Sequence, residues 1–143
     1  MTSIEWLDHT ADVAFRARGA SIEDVFCEAA RAVFSLMFEV DAPGRCGIEQ
    51  RITASAASLH ELLVEWLSEL LVHRELLRAA FTRFEATVCG DDASGFRVEG
   101  LAFGDSLACT PHRLGMEVKG IPPLGLRVVK DAEGWSAQVV VDV

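Results

Sequence analysis

The run from Ser58 to Leu71 constrains the fold more than any other stretch. Leu59, Leu62, Leu63, Trp66, Leu67, Leu70 and Leu71 recur at intervals of three and four, so on a helix they form one unbroken apolar stripe. Ser58 stands just ahead, with Glu61 three residues on. That is a capping-box pattern, which satisfies the free amides of a helix start. Glu61, Glu65 and Glu69 line the opposite side, where solvent suits them. So wide a stripe has to be covered, and most of the remaining chain reads as strands.

Val13, Phe15 and Ala17 alternate with Arg16 and Arg18, the pattern of a half-buried strand that ends at Gly19. Ile4 to Leu7 is a shorter strand before it. Ser21 then caps a second helix, with Ile22, Val25, Phe26, Ala29, Val33 and Met37 on one face and Glu23 and Asp24 at its positive end. Asp41-Ala42-Pro43-Gly44 is expected to stop it. Cys46, Ile48, Ile52 and Ala54 alternate with Glu49, Arg51 and Thr53. Phe84, Ala86 and Val88 lead to a turn at 90–95, and Phe96 and Val98 begin the return, with Gly100 expected to mark a bulge. Short strands follow at Leu107 to Cys109, Met116 to Ile121 and Leu126 to Val129. Trp135, Ala137, Val139 and Val141 share the face of a last strand. The expected fold is α+β: two amphipathic helices packed on a mainly antiparallel, curved β-sheet, in a single compact domain over 1–143.

Charge and cysteines narrow the function classes. With 22 acidic against 13 basic residues the net charge is −9, which argues against strong direct binding of nucleic acid and suits a cation site, a basic protein partner or simple solubility. Cys27, Cys46, Cys89 and Cys109 form no C-x-x-C pair and are expected to be small buried hydrophobes. Glu5 and Asp8 stand where a signal peptide would be basic, and no apolar run reaches the roughly 20 residues that cross a bilayer. A cytoplasmic protein with reduced thiols, off the membrane, is the expectation.

No G-x-S-x-G, H-E-x-x-H, P-loop or dinucleotide fingerprint occurs, which weighs against a self-sufficient enzyme without excluding one, and no catalytic residue is nominated. His60 and His73 lack partners at metal-ligand spacing and read as structural. Asp91 and Asp92 read as a solvated hairpin tip. The two ends of the chain hold the better constellation. Asp8-His9-Thr10-Ala11-Asp12 precedes one strand, and Asp142 and Val143 end another. If those strands are antiparallel neighbours, Asp12 and Asp142 converge, and the terminal carboxylate of Val143 completes a hard oxygen set for Ca²⁺ or Mg²⁺ with waters in the remaining positions. The competing reading is two surface aspartates beside a frayed tail.

Four segments together resemble the archease family: Asp8-His9-Thr10-Ala11-Asp12, the helix from Leu62 to Leu71, His112 to Lys119, and the ending Val141-Asp142-Val143. The resemblance covers essentially the whole chain in the right order. It implies an accessory protein of the RtcB-type RNA ligase, which joins RNA 2′,3′-cyclic-phosphate or 3′-phosphate ends to 5′-hydroxyl ends in tRNA splicing or RNA repair. Archease promotes guanylylation of that ligase's active-site histidine and so its multiple turnover. The family's metal positions fall on Asp12, Asp142 and Val143. Asp8, His9, Glu117 and Lys119 match further family positions, as supporting or partner-contacting residues. A free-standing metal-dependent phosphoester hydrolase and a general chaperone are the alternatives.

The chain departs from the pattern after Lys119. The family often continues Ala-Val-Thr-Tyr-His-Gly-Leu, whereas this chain has Gly120-Ile121-Pro122-Pro123-Leu124-Gly125-Leu126. The threonine, tyrosine and histidine are replaced by Pro122, Pro123 and Leu124. If that segment touches the ligase, the interface here differs.

Overall fold

The apolar periodicities become two helices among antiparallel strands in the computed structural model, which describes residues 2–7, 12–40, 47–108 and 112–143. In chain order the elements are β1 (Ser3–Leu7), β2 (Val13–Gly19), α1 (Ile22–Met37), β3 (Phe38–Val40), β4 (Gly47–Ala56), α2 (Leu59–Leu77), β5 (Ala79–Asp91), β6 (Gly95–Ser106), β7 (His112–Leu114), β8 (Arg127–Asp131) and β9 (Gly134–Val141). The α+β class is as expected, and every described strand pairing is antiparallel. The described strands are distributed over a four-stranded sheet in the order β1-β2-β9-β8, a three-stranded sheet β4-β6-β5 and a ribbon β3-β7.

Both helix starts follow from their serines. Ser21 Oγ accepts from the Asp24 amide at 3.1 Å, and Ser58 Oγ accepts from the Glu61 amide at 3.2 Å. Each bond satisfies an amide that the helix itself leaves free. The helix α2 runs on to Leu77 and closes with Arg78 in the left-handed region at φ 49°. Its Leu62, Leu63, Trp66, Leu67 and Leu70 are all buried. Helix α1 packs on β2, β9 and β5, while α2 packs on β4 and β6. Between the helices the Trp66 indole N–H donates to the Phe26 carbonyl at 3.1 Å, so its one polar atom is satisfied inside the core.

Five expectations need correction. Gly100 is no bulge: it pairs in regular register with Ile52 and Ala86. A Cβ there would strike the Glu85 carbonyl and stand 2.7 Å from the Trp66 ring, so the glycine makes room for the indole. The register shift lies instead between Phe81 and Arg83. Met116 to Ile121 is no strand either, since only Gly120 forms a bridge, and Leu107 sits in the turn after β6. Helix α1 ends at Met37 rather than at the Asp41–Gly44 stop, because Phe38 turns into extended backbone and pairs with Leu114. Residues 41–46 and 109–111, with Cys46 and Cys109, lie outside the described residues. Of the described cysteines Cys27 is half-buried, and burial pushes its thiol up to about 11, whereas Cys89 is exposed and not the buried hydrophobe expected.

Candidate functional site

The register of the central strand pair places the two chain-end aspartates. Strands β2 and β9 pair antiparallel with Val13 opposite Val141. Asp12 is the residue before that rung and Asp142 the residue after it, so both carboxylates belong to one end of the four-stranded sheet. Asp12 is half-buried and Asp142 exposed. This is the convergence expected of the strand ends.

A second segment closes on the other side of β9. The Lys119 amide donates to the Asp142 carbonyl at 2.8 Å, and the Asp142 amide donates to the Gly120 carbonyl at 3.0 Å. Asp142 is therefore held by the 119–120 segment on one flank, directly after the rung that pairs Val141 with Val13 of β2 on the other. Val118 and Ile121 are buried on either side of that bridge, while Glu117 and Lys119 are exposed. Val143 packs partly against the core. A backbone so clamped costs little further ordering when a ligand or partner arrives.

The clamp traces back to a feature that hydrophobic periodicity did not show. After β7 the amides of Gly115 and Met116 donate to the carbonyls of Met37 and Leu36, both at 2.7 Å, and so satisfy the open end of α1. A side chain at 115 would collide with the Leu36 carbonyl, which makes Gly115 the one legible signal for this docking. The following loop is anchored at its far end by His60. The Val128 amide donates to His60 Nδ1 at 2.9 Å, tying the edge strand β8 to the start of α2. Reading His60 as structural was therefore right.

Of the residues nominated from sequence, the structure brings Asp12, Asp142, Val143 and Lys119 to one sheet end, with Glu117 two residues before Lys119. Asp8 and His9 lie outside the described residues. Among the described residues no group of three or more His, Cys, Asp or Glu side chains is gathered as a metal cluster. Two aspartates and the main-chain oxygen of Val143 are hard donors of the kind a divalent cation that keeps several waters accepts, and they form an incomplete set. The Pro122-Pro123-Leu124 departure is on the surface: Leu124 is 83% exposed, next to Gly125 in the left-handed region at φ 83°.

Similarity to known proteins follows the same outline. The model of the Archease protein family matches residues 5–143. Protein archease of Methanosarcina mazei is 34% identical over 139 residues, 97% of this chain and 94% of the relative. Protein archease of Methanopyrus kandleri is 34% identical over 141 residues, 97% and 98% of the two chains. The solution structure of Methanobacterium thermoautotrophicum protein 1598 superposes with a TM-score of 0.83 at 28% identity, covering 98% of both chains. The crystal structure of a Thermotoga maritima archease, described as a possible chaperone, shares the fold with a TM-score of 0.59 at 17% identity, over 96% of this chain and 94% of that one.

Proposed function

We propose that this chain, which belongs to the Archease protein family, is an accessory protein that binds an RtcB-type RNA ligase and promotes guanylylation of the ligase's active-site histidine. The observation that supports this reading most is the pairing of Val13 with Val141, which sets Asp12 and Asp142 side by side at a clamped sheet end. A tip of this kind can enter a partner's site without paying for its own ordering. In this reading Asp12, Asp142 and Val143 hold a divalent cation, Ca²⁺ or Mg²⁺, through hard oxygens. When bound, the cation supplies positive charge for phosphate oxygens. Lys119 and Glu117 stand beside the tip as exposed contacts for the partner, and Asp8 and His9 belong to the same group by family position. The protein performs no chemistry of its own.

The experiment is a reconstitution with the cognate ligase, GTP, a divalent cation and broken RNA, following covalent guanylylation of the ligase over many turnovers. The wild-type chain should raise turnover, and Asp12→Asn should remove most of that gain while melting at the wild-type temperature. No gain from the wild-type chain defeats the reading. Phosphate release by the chain alone, abolished by Asp12→Asn, would make it a metal-dependent hydrolase. Protection of unrelated unfolding proteins, indifferent to Asp12, would make it a general chaperone.

A further inference from the structure

The face of the four-stranded sheet turned away from the core carries an uneven set of charges. Strand register lays it out in rows across β1, β2, β9 and β8. One row is Glu5, Arg16, Gln138 and Arg127, and the next is Ser3, Arg18, Ser136 and Val129. Within these two rows Glu5 is the one carboxylate among the described positions, against three guanidiniums, and the next carboxylates, Asp131 and Glu133 of the β8–β9 turn, line a cavity with Ser3, Arg18 and Ser136. Glu5 is already shared: its Oε1 accepts from Arg16 at 2.9 Å and stands 3.4 Å from Arg18. Arg16 also donates to the Gln138 side-chain oxygen at 3.3 Å, so its fork is held flat between two neighbours. Arg127 is exposed at the far end of the row. In a chain of net charge −9 these two rows are a small cationic island, bordered by Asp131 and Glu133 on the Arg18 side and by the Asp12–Asp142 end on the other.

We propose that this island is a docking surface for a carboxylate-rich segment of a protein partner. Three features favour a peptide over a nucleic acid. The island is small: its two rows lie about 7 Å apart along the strands, and the acidic Asp12–Asp142 end begins about 13 Å from the Arg16 row, by the strand rise per residue. A phosphate backbone laid along the face would run into those carboxylates. The described residues of both rows include no aromatic ring on which a base could stack, and the neighbouring Trp135 is half-buried with the Lys130 ammonium 5.5 Å over its ring. The whole-chain field repels a polyanion at long range, whereas a few carboxylates feel mainly the local guanidiniums within a Debye length of about 8 Å. Glu5 occupies the position that a partner's carboxylate takes, and Arg16 and Arg18 keep the remaining N–H groups of their forks for it.

The test needs no ligase, so its outcome is separate from that of the accessory reading. Isotope-labelled protein is titrated at low salt with a short polyglutamate peptide and, in parallel, with a short oligouridylate, following the arginine Nε–Hε signals. Arg16, Arg18 and Arg127 should shift with the peptide. Arg51, Arg83 and Arg97, which sit on the outer face of the other sheet beside Glu85 and Glu99, should not. The combined Arg16→Gln/Arg127→Gln variant should loosen peptide binding about tenfold, the worth of one to two charge-assisted hydrogen bonds. Glu5→Gln should tighten it by freeing both guanidiniums. Equal shifts in both arginine sets, no shift at all, or tighter binding of the oligouridylate than of the peptide would overturn the proposal.

Discussion

The two sheets of this protein turn similar residues to solvent and arrange them differently. Along the rungs from Arg97 to Phe103 the outer face of the three-stranded sheet holds Arg51, Arg83 and Arg97 with Glu49, Glu85 and Glu99, three of each sign, and Asp91 adds a carboxylate at the hairpin end. Glu99 Oε1 accepts from Arg51 and from Arg97, both at 3.0 Å, and Arg83 pairs with Glu85 at 3.1 Å while lying over the Phe103 ring at 3.8 Å. On the four-stranded sheet Arg16 and Arg18 share Glu5, and Arg127 stands exposed two strands from Arg16 in the same row. The same alternation of apolar and polar residues along each strand produces both faces. What separates them is register, which decides whether the next strand brings a carboxylate or an amide opposite an arginine. Net charge averages over this difference. The paired face needs nothing further, whereas the cationic island has one carboxylate shared by two guanidiniums.

That comparison assumes equally firm sheets beneath the two faces, and the steepest way to break it is to loosen one. Gly100 of β6 lies on Trp66, and a valine there would force its side chain into the indole and the Glu85 carbonyl. Gly100→Val should cost about 1–3 kcal/mol of stability, the usual cost of overpacking. The midpoint of urea unfolding checks this. If the variant is as stable as the wild type, Trp66 has room to move and the three-stranded sheet is less firmly backed than its buried contacts imply.

An intermediate effect distinguishes the inside of the molecule from its paired face. Cys27 is on α1 with its thiol raised to about 11, chiefly by burial, and Cys89 is exposed on β5 opposite Arg97. The thiolate is the reactive form, so at pH 8 Cys27 should be alkylated on the order of a hundredfold more slowly than a thiol of ordinary acidity. Cys89 should react freely. Because the folded value is raised, the contribution of Cys27 to stability is intact below pH 9 and is lost as pH climbs through about 11. Mass spectrometry after timed iodoacetamide treatment reads both sites. A protected Cys89 would mean that the paired face is covered, which would reverse the contrast between the sheets.

Much of this was legible in the chain. The two serine caps, the stripe on α2 and the alternation of Val13 to Arg18 with Trp135 to Val141 led to the helices and to the strand pair that sets Asp12 beside Asp142. What stayed hidden depends on contacts between elements far apart in sequence. Gly100 looked like a bulge because the alternation changes phase there, and only Trp66, 34 residues earlier in the numbering, explains the missing side chain. The β3–β7 ribbon escaped because Phe38 continues the apolar rhythm of α1. The clamp on Asp142 needs Gly115 to dock on the end of α1, and nothing in local periodicity announces that.

The smallest effect tests the paired face alone. Glu99 has a depressed carboxyl, first because Arg97 hydrogen-bonds to it and then because Arg51 does. A carboxylate with a lowered folded value contributes stability above its ordinary range near 4.5, and that contribution is lost as pH falls through the lower folded value. The group is fully exposed, so solvent screens the effect and the stability change itself should be slight. The side-chain carbonyl signal of Glu99 is the sharper readout. It should titrate below an ordinary glutamate in the wild type, move up in Arg97→Gln, and move up by less in Arg51→Gln. If neither substitution moves it, the guanidiniums do not hold the carboxylate in solution. The three-stranded face would then be neutral only in sum, and the distinction between paired arginines there and underpaired ones on the four-stranded sheet would lose its physical basis.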